Sequence, residues 1–210
     1  MTPDLPTIAD IEAAAARIAP FVFRTPPLES ATLNARVGGR IFLKPENLQR
    51  TGSFKIRGAT NRLLMIPEAD RGAGVVAFSS GNHAQGVAAA AASLGMGATI
   101  VMPVDAPQAK LEGTRALGAQ IVTYDRHRED REAIAQQICD ARGAVLVRPF
   151  DDAGVVAGQG TVGLEIAQDM PGLDLVAVPC SGGGLVSGTA LALSRFSPHT
   201  RVVSVEPQGD

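Results

Sequence analysis

Apolar and polar positions alternate in blocks along most of the chain. From Val75 onward, short apolar, β-branched runs recur as VVAFS (75–79), ATIVMP (98–103), QIVTY (120–124), AVLVRP (144–149), LDLVAVP (173–179) and TRVVSVEP (200–207). Continuous runs of this kind are what strands buried on both faces look like. Helical patterns separate them: Asn82–Leu94, Ala106–Leu117, Arg128–Arg142, Val155–Met170 and Leu185–Arg195. Strand and helix in strict alternation predict βαβ units, parallel sheet and right-handed crossovers.

The first part reads differently. Thr7 and Asp10 have capping-box spacing, and Ile8, Ile11, Ala15 and Ile18 form an apolar helical stripe. The proline-rich RTPPLES follows, then a predicted strand RIFLKPE (40–46) and a helix from about Ser53 to Met65 with Ser53 as its N-cap. No repeat at a solenoid period is present. The last residues, RVVSVEPQGD, complete a strand and stop in a turn, so the sequence reads as a doubly wound fold with its C-terminal part missing.

Composition narrows the function. The 210 residues are 45% hydrophobic, enough for a substantial core, and carry a formal net charge of −2. No basic field exists to attract nucleic acid or an acidic membrane, and 4% aromatic content without Trp offers no stacking platform for bases. The two cysteines, Cys139 and Cys180, make no C-x-x-C and suit a reducing compartment. The opening MTPDLPTIAD has no basic n-region or apolar h-region, so a cytoplasmic protein is expected. The Ala-rich stretch GVAAAAASLGMGATIVM is interrupted by Ser93 and glycines and reads as buried helix and strand, not a membrane span.

Three loops carry candidate chemistry. PCSGGGLVSG (179–188) lies between an apolar run and a helix, where consecutive glycines let backbone N–H groups cradle an anion such as phosphate; a mere tight turn is the alternative. FSSGNHAQG (78–86) opens an Ala-rich helix whose unpaired N–H groups suit a carboxylate or phosphate, although Ser and Asn there are also ordinary caps. His83 lacks neighbours at metal-ligand spacing. RTGSFKIRGATN (50–61) sets Lys55 at a helix start, either as a solvated cation or as a lysine held for chemistry. A literal G-x-G-x-x-G at Gly158, Gly160 and Gly163 has no strand running into it and no acid past the next strand, so it reads as helix packing.

Together, KPENLQRTGSFKIRGA, SSGNHAQGVA and VPCSGGGLVSG, in this order, resemble the fold-type II pyridoxal-phosphate enzymes, most closely the threonine/serine dehydratase and serine racemase branch. The resemblance runs from about Ile8 to the last residue. It implies an α/β fold of two open, mostly parallel twisted sheets with helices on both faces. The large cofactor domain would comprise 1–66 and 153–210, and the small substrate-side domain 67–152. It implies a homodimer acting on a small amino acid. Lys55 would carry the pyridoxal 5'-phosphate aldehyde covalently, Phe54 would line the cofactor and Asn82 would hydrogen-bond its 3-hydroxyl. Ser181, Gly182, Gly183, Gly184 and Leu185 would bind the phosphate, and Ser79, Ser80, Gly81, Asn82 and His83 the substrate carboxylate. FDDAGVVAGQGT resembles the dehydratase stretch that follows the small domain.

The implied reaction is loss of ammonia from threonine, serine or 3-hydroxyaspartate, with a useful lysine amine requiring desolvation or a nearby cation such as Arg57. Ser181 replaces a glycine of many relatives. Ser80 replaces the alanine of many threonine dehydratases and matches the serine that serves racemases as acid/base, which leaves racemisation open. Arg131 stands where an arginine approaches a second carboxylate, or is a solvated helix charge. Glu206, with the Asp210 carbonyl, matches a divalent-cation site of the branch suited to Mg²⁺ or Ca²⁺. The family's contact to the pyridine nitrogen has no match in the chain. A non-catalytic binding module is the competing class, and a β-replacement enzyme is disfavoured because His83 stands where that group has Thr.

Overall fold

Thr7 caps the first helix, α1 (Ile8–Ile18), as its spacing predicts. Its hydroxyl accepts from the Asp10 N–H at 3.3 Å, and its own N–H donates to the Asp10 carboxylate at 2.7 Å. The computed structural model describes residues 5–208.

The central sheet has four parallel strands in the order β5-β4-β3-β6: β3 (Val75–Phe78), β4 (Ala98–Pro103), β5 (Gln120–Tyr124) and β6 (Val145–Leu146). The crossovers are α4 (Asn82–Ser93), α5 (Gln108–Ala116) and α6 (Arg131–Arg142). Every residue of β3 and β4 is buried, because both sheet faces are covered. Val75 and Ala77 pack with Ile56, Ala59 and Leu63 of α3 (Lys55–Leu64) and with Val87 of α4, while Val76 and Phe78 pack on Ala135 and Cys139 of α6. Thus α3, the helix that begins with Lys55, is built into the same core as this sheet.

The second layer centres on α7 (Ala153–Asp169) and α8 (Gly184–Phe196), with β7 (Leu175–Pro179) and β8 (Arg201–Val205) paired in parallel. A short antiparallel pair, β1 (Leu28–Glu29) and β2 (Phe42–Leu43), flanks α2 (Ala31–Val37). The glycines of the G-x-G-x-x-G are helix contacts, as their context predicts. A Cβ on Gly158 would lie 2.6 Å from Gly58 Cα of α3, and one on Gly163 2.8 Å from Thr189 Cα of α8. Bare backbone there lets three helices touch.

Three expectations need correction. The strand expected over 40–46 pairs only at Phe42–Leu43, since Pro45 has no N–H to donate and Lys44 and Glu46 turn into buried ion pairs. Ser53 does not cap α3; Phe54 holds the cap position with no side-chain bond, and the Ser53 hydroxyl is buried without a partner. The strands past α7 are not buried on both faces. In β7 only Val176 and Val178 are buried, and the second sheet is two separate pairs. Residues 41–45 beside β2 and the whole of β7 line one apolar cavity of about 550 Å³, which leaves that face of β7 open.

Candidate active site

The turn before Lys55 is strained. Thr51 (φ 63°) and Gly52 (φ 70°) are both left-handed, and a β-branched residue adopts that conformation only when its surroundings enforce it. The chain then enters α3 with Phe54 and Lys55 facing a cavity of about 470 Å³. Gly86 of α4 lets that helix lie against the same turn: a Cβ there would meet the Lys55 carbonyl carbon at 3.2 Å.

Most of the residues singled out from sequence converge on this cavity. Lys55 opens α3 and Phe54 caps it, and Ser79, Ser80, Asn82 and His83 come from the end of β3 and the start of α4. The turn Ser181–Leu185 after β7 supplies a further wall, and Arg131 reaches in from the first position of α6. The guanidinium of Arg131 stacks over the Phe78 ring at 5.3 Å. Gly81 is the N-cap residue of α4, its N–H donating to the Ser79 hydroxyl at 3.2 Å. Gly183 is left-handed (φ 89°) and caps α8, so the turn aims the first N–H groups of that 13-residue helix at the cavity.

Lys55 Nζ donates to the Pro149 carbonyl at 2.6 Å and lies 5.4 Å from the Phe54 ring centre. Burial lowers the pKa of this amine below the ordinary lysine value. The cation expected to assist, Arg57, faces the other way. It is fully buried, paired with Glu46 and Glu165, and its charge is spent on them rather than on Lys55.

His83 is also buried, at 2% exposure. Burial first, and the Lys55 charge besides, push it down to about 4 against the opposing pull of its bond to Val147. It is therefore neutral at pH 7. With Nε2 donating to the Val147 carbonyl at 3.0 Å, Nδ1 is left as a buried acceptor with no partner.

Of the two expected metal ligands, only Glu206 lies among the described residues. Glu206 is exposed and raises the pKa of the Cys180 thiol by hydrogen bonding to it. Asp210 lies outside the described residues. Among the described residues, no group of three or more His, Cys, Asp or Glu could hold a metal ion, and no helix is long and apolar enough to cross a membrane. Five lining residues lie outside the set expected from sequence: Phe78, Pro179 and Cys180, which flank the two expected loops, and Pro149 and Phe150, from the segment that joins β6 to α7. The signal for Pro149 and Phe150 was a proline and an aromatic residue just before the Asp152 cap of α7, at the start of FDDAGVVAGQGT.

One cavity thus joins a desolvated primary amine, a left-handed glycine turn on a helix N-terminus, and a second helix N-terminus with Ser and Asn. This donor set fits an aldehyde cofactor with a phosphate at one end and a carboxylate substrate beside it. The family model of pyridoxal-phosphate dependent enzymes matches residues 18–210. The chain belongs to that family. Within the pyridoxal-phosphate family, it is 52% identical over 199 residues to the L-threo-3-hydroxyaspartate ammonia-lyase of a Pseudomonas species, covering 95% of this chain and 62% of that protein. It is 46% identical over 204 residues to the serine racemase of Schizosaccharomyces pombe, covering 97% of this chain and 63% of that protein. The structure of maize serine racemase superposes with a TM-score of 0.94 at 43% identity, covering 97% of this chain and 62% of that one. The chain therefore spans about three fifths of the length of these relatives.

Proposed function

We propose that this chain carries the cofactor- and carboxylate-binding part of a pyridoxal-phosphate-dependent ammonia-lyase. The reaction converts a β-hydroxy amino acid to a 2-oxo acid and ammonia. The observation that supports it is the half-buried amine of Lys55, lowered in pKa by desolvation, sharing one cavity with the Ser181–Leu185 turn and the Ser79–His83 loop.

When bound, the cofactor's pyridine ring supplies a sink for the electron pair left at Cα as the α-proton departs. The residues do the rest. Lys55 anchors the aldehyde and, once its amine is free, takes the α-proton; a lowered pKa keeps that amine available as a base. The N–H groups at 182–185 hold the phosphate, with Ser181 adding a hydroxyl, and Asn82 donates to the 3-hydroxyl. Ser79, Ser80, Gly81 and Asn82 hold the substrate carboxylate at the start of α4; His83 does not join them as expected, because its one N–H is bonded to Val147 and its bare Nδ1 can only accept. The β-hydroxyl leaves as water, the released enamine tautomerises to an imine, and water then replaces its nitrogen to give the 2-oxo acid and ammonia.

Arg131 favours a dicarboxylate, 3-hydroxyaspartate, among the hydroxy amino acids: it brings a permanent positive charge to the cavity mouth. Glu206 is the described member of the expected cation pair with Asp210, and the steps above use neither. Ser80 supports a second reading, racemisation, since it places a hydroxyl in the same cavity as Lys55. The test is 2-oxo acid release alongside product chirality from L-serine, L-threonine and L-threo-3-hydroxyaspartate. Fast 2-oxo acid release from the dicarboxylate supports the lyase. Chiral inversion without 2-oxo acid supports the racemase, and no turnover with any of them returns the chain to a binding module.

A further inference from the structure

The segment from β6 to α7 touches each wall of the cavity in six residues. The Val147 carbonyl accepts from His83 Nε2, and the Pro149 carbonyl accepts from Lys55 Nζ. Asp152 Oδ1 accepts from the Val155 N–H at 2.9 Å to cap α7, and Asp152 Oδ2 accepts from Arg62 of α3 at 2.8 Å. Anchored at both ends, the segment lays Phe150 on the glycine turn. A Cβ on Gly182 would lie 2.6 Å from Phe150 Cε1, and closer still to Cγ; one on Gly184 would lie 3.3 Å from Phe150 Cα and Cβ. These two glycines are therefore bare where the ring needs room, in addition to exposing N–H groups. Yet Phe150 remains 40% exposed, and it lines the cavity. A large apolar ring clamped by its backbone and half open toward a polar cavity is placed to cover something that enters there.

We propose that Phe150 is a cofactor-seating residue, its ring closing the phosphate end of the cavity over the turn at 182–184. The inference rests on the pyridoxal-phosphate reading. The ring makes no polar bond itself. It keeps water from the N–H groups of the turn, and hydrogen bonds to a phosphate strengthen where water is excluded. Its removal opens a water path to the phosphate, and cofactor is lost faster.

The experiment titrates pyridoxal 5'-phosphate into cofactor-stripped protein. Uptake is read by the visible absorbance of Lys55-bound cofactor, and the release rate is taken after dilution into a scavenger. Thermal melts of the stripped proteins check the fold. Phe150→Ala is expected to weaken binding about tenfold through faster release, and Phe150→Leu to restore most of it. Gly182→Ala is expected to weaken binding in the parent protein but much less in a Phe150→Ala background, because its new methyl then meets no ring. Parent-like affinity and release in folded Phe150→Ala overturn the proposal, as does a Gly182→Ala effect of equal size in both backgrounds. No uptake by the parent overturns the cofactor reading itself, a result distinct from any difference between variants.

Discussion

Arg57 and Glu165 meet through two parallel hydrogen bonds, Nη1 to Oε1 at 2.7 Å and Nη2 to Oε2 at 2.9 Å. Glu46 takes the other edge of the same guanidinium through Nε and Nη2, each at 2.8 Å, and Lys44 pairs with Glu165. Two cations and two carboxylates thus close a neutral buried cluster on α3, two residues beyond Lys55. It ties the first turn of α3 to α7 and to the segment after β2. Because its charge is balanced, the cluster sends no net field to Lys55, and desolvation alone lowers that amine. Glu165→Gln leaves a buried positive charge unmatched. A loss of about 3–5 kcal/mol in urea unfolding is expected. A change under about 1 kcal/mol, the range of exposed pairs, would show that the cluster is hydrated in solution.

Lys55 sets a prediction for both absorbance and pH. Lys55→Ala should bind the cofactor without the visible band of the lysine adduct and lose at least about 10²–10⁴-fold in turnover, the usual contribution of a positioned proton-transfer group. The folded amine titrates below its unfolded value, so across that interval the unfolded chain holds the proton more often than the folded one. Stability of the cofactor-free protein should rise with pH there, and Lys55→Met should remove that rise. A visible band that persists in Lys55→Ala would end the assignment.

Much of this was legible in the sequence because the informative signals are local. The Thr7–Asp10 box, the apolar runs of β3 and β4 and the strand-glycine-helix order around Gly183 each depend on neighbours in the chain. What the sequence concealed depends on distant pairs. Arg57 beside Lys55 reads as an assisting cation until Glu46 and Glu165 are brought to it across 11 and 108 residues. Phe150 reads as an ordinary aromatic until the turn at 182–184 folds beneath it. The open face of β7 was invisible because alternation and continuous burial differ by only three residues, Leu175, Ala177 and Pro179, all of them apolar, in a five-residue strand.

Gly188 offers a test of the packing reading of the α7 glycines. A Cβ there would lie 2.6 Å from both the Gly160 N and the Val156 carbonyl oxygen, backbone atoms that cannot swing aside. Gly188→Ala should therefore push α7 and α8 apart and cost about 1–3 kcal/mol in denaturant unfolding. Stability equal to the parent would show that the two helices slide freely.

Arg131 should act on substrate choice and not on folding, since it is exposed, lies over the Phe78 ring and is bonded to no carboxylate among the described residues. Arg131→Ala is expected to raise KM for L-threo-3-hydroxyaspartate by about 10-fold or more, in line with loss of one charge-assisted contact, and to leave serine nearly unchanged. Equal effects on both substrates would place Arg131 outside the substrate's reach.

His83 should make the protein sensitive to mild acid. Folded, it titrates at about 4; unfolded, it titrates near 6.5. Between those values the unfolded chain binds a proton that the folded protein cannot accept without breaking up the buried ring's surroundings. Stability is thus fully present above pH 6.5 and falls as pH drops toward 4. The interval between the two values corresponds to roughly 3 kcal/mol of stability. His83→Gln carries no titrating group, and its amide can still donate to the Val147 carbonyl. It should be less stable than the parent at pH 7, yet lose less between pH 7 and pH 4.5. Urea unfolding of both proteins at those two pH values measures the difference. Parallel losses in the two proteins would mean that the folded ring takes up a proton as readily as the unfolded one, and that burial does not hold His83 neutral in mild acid.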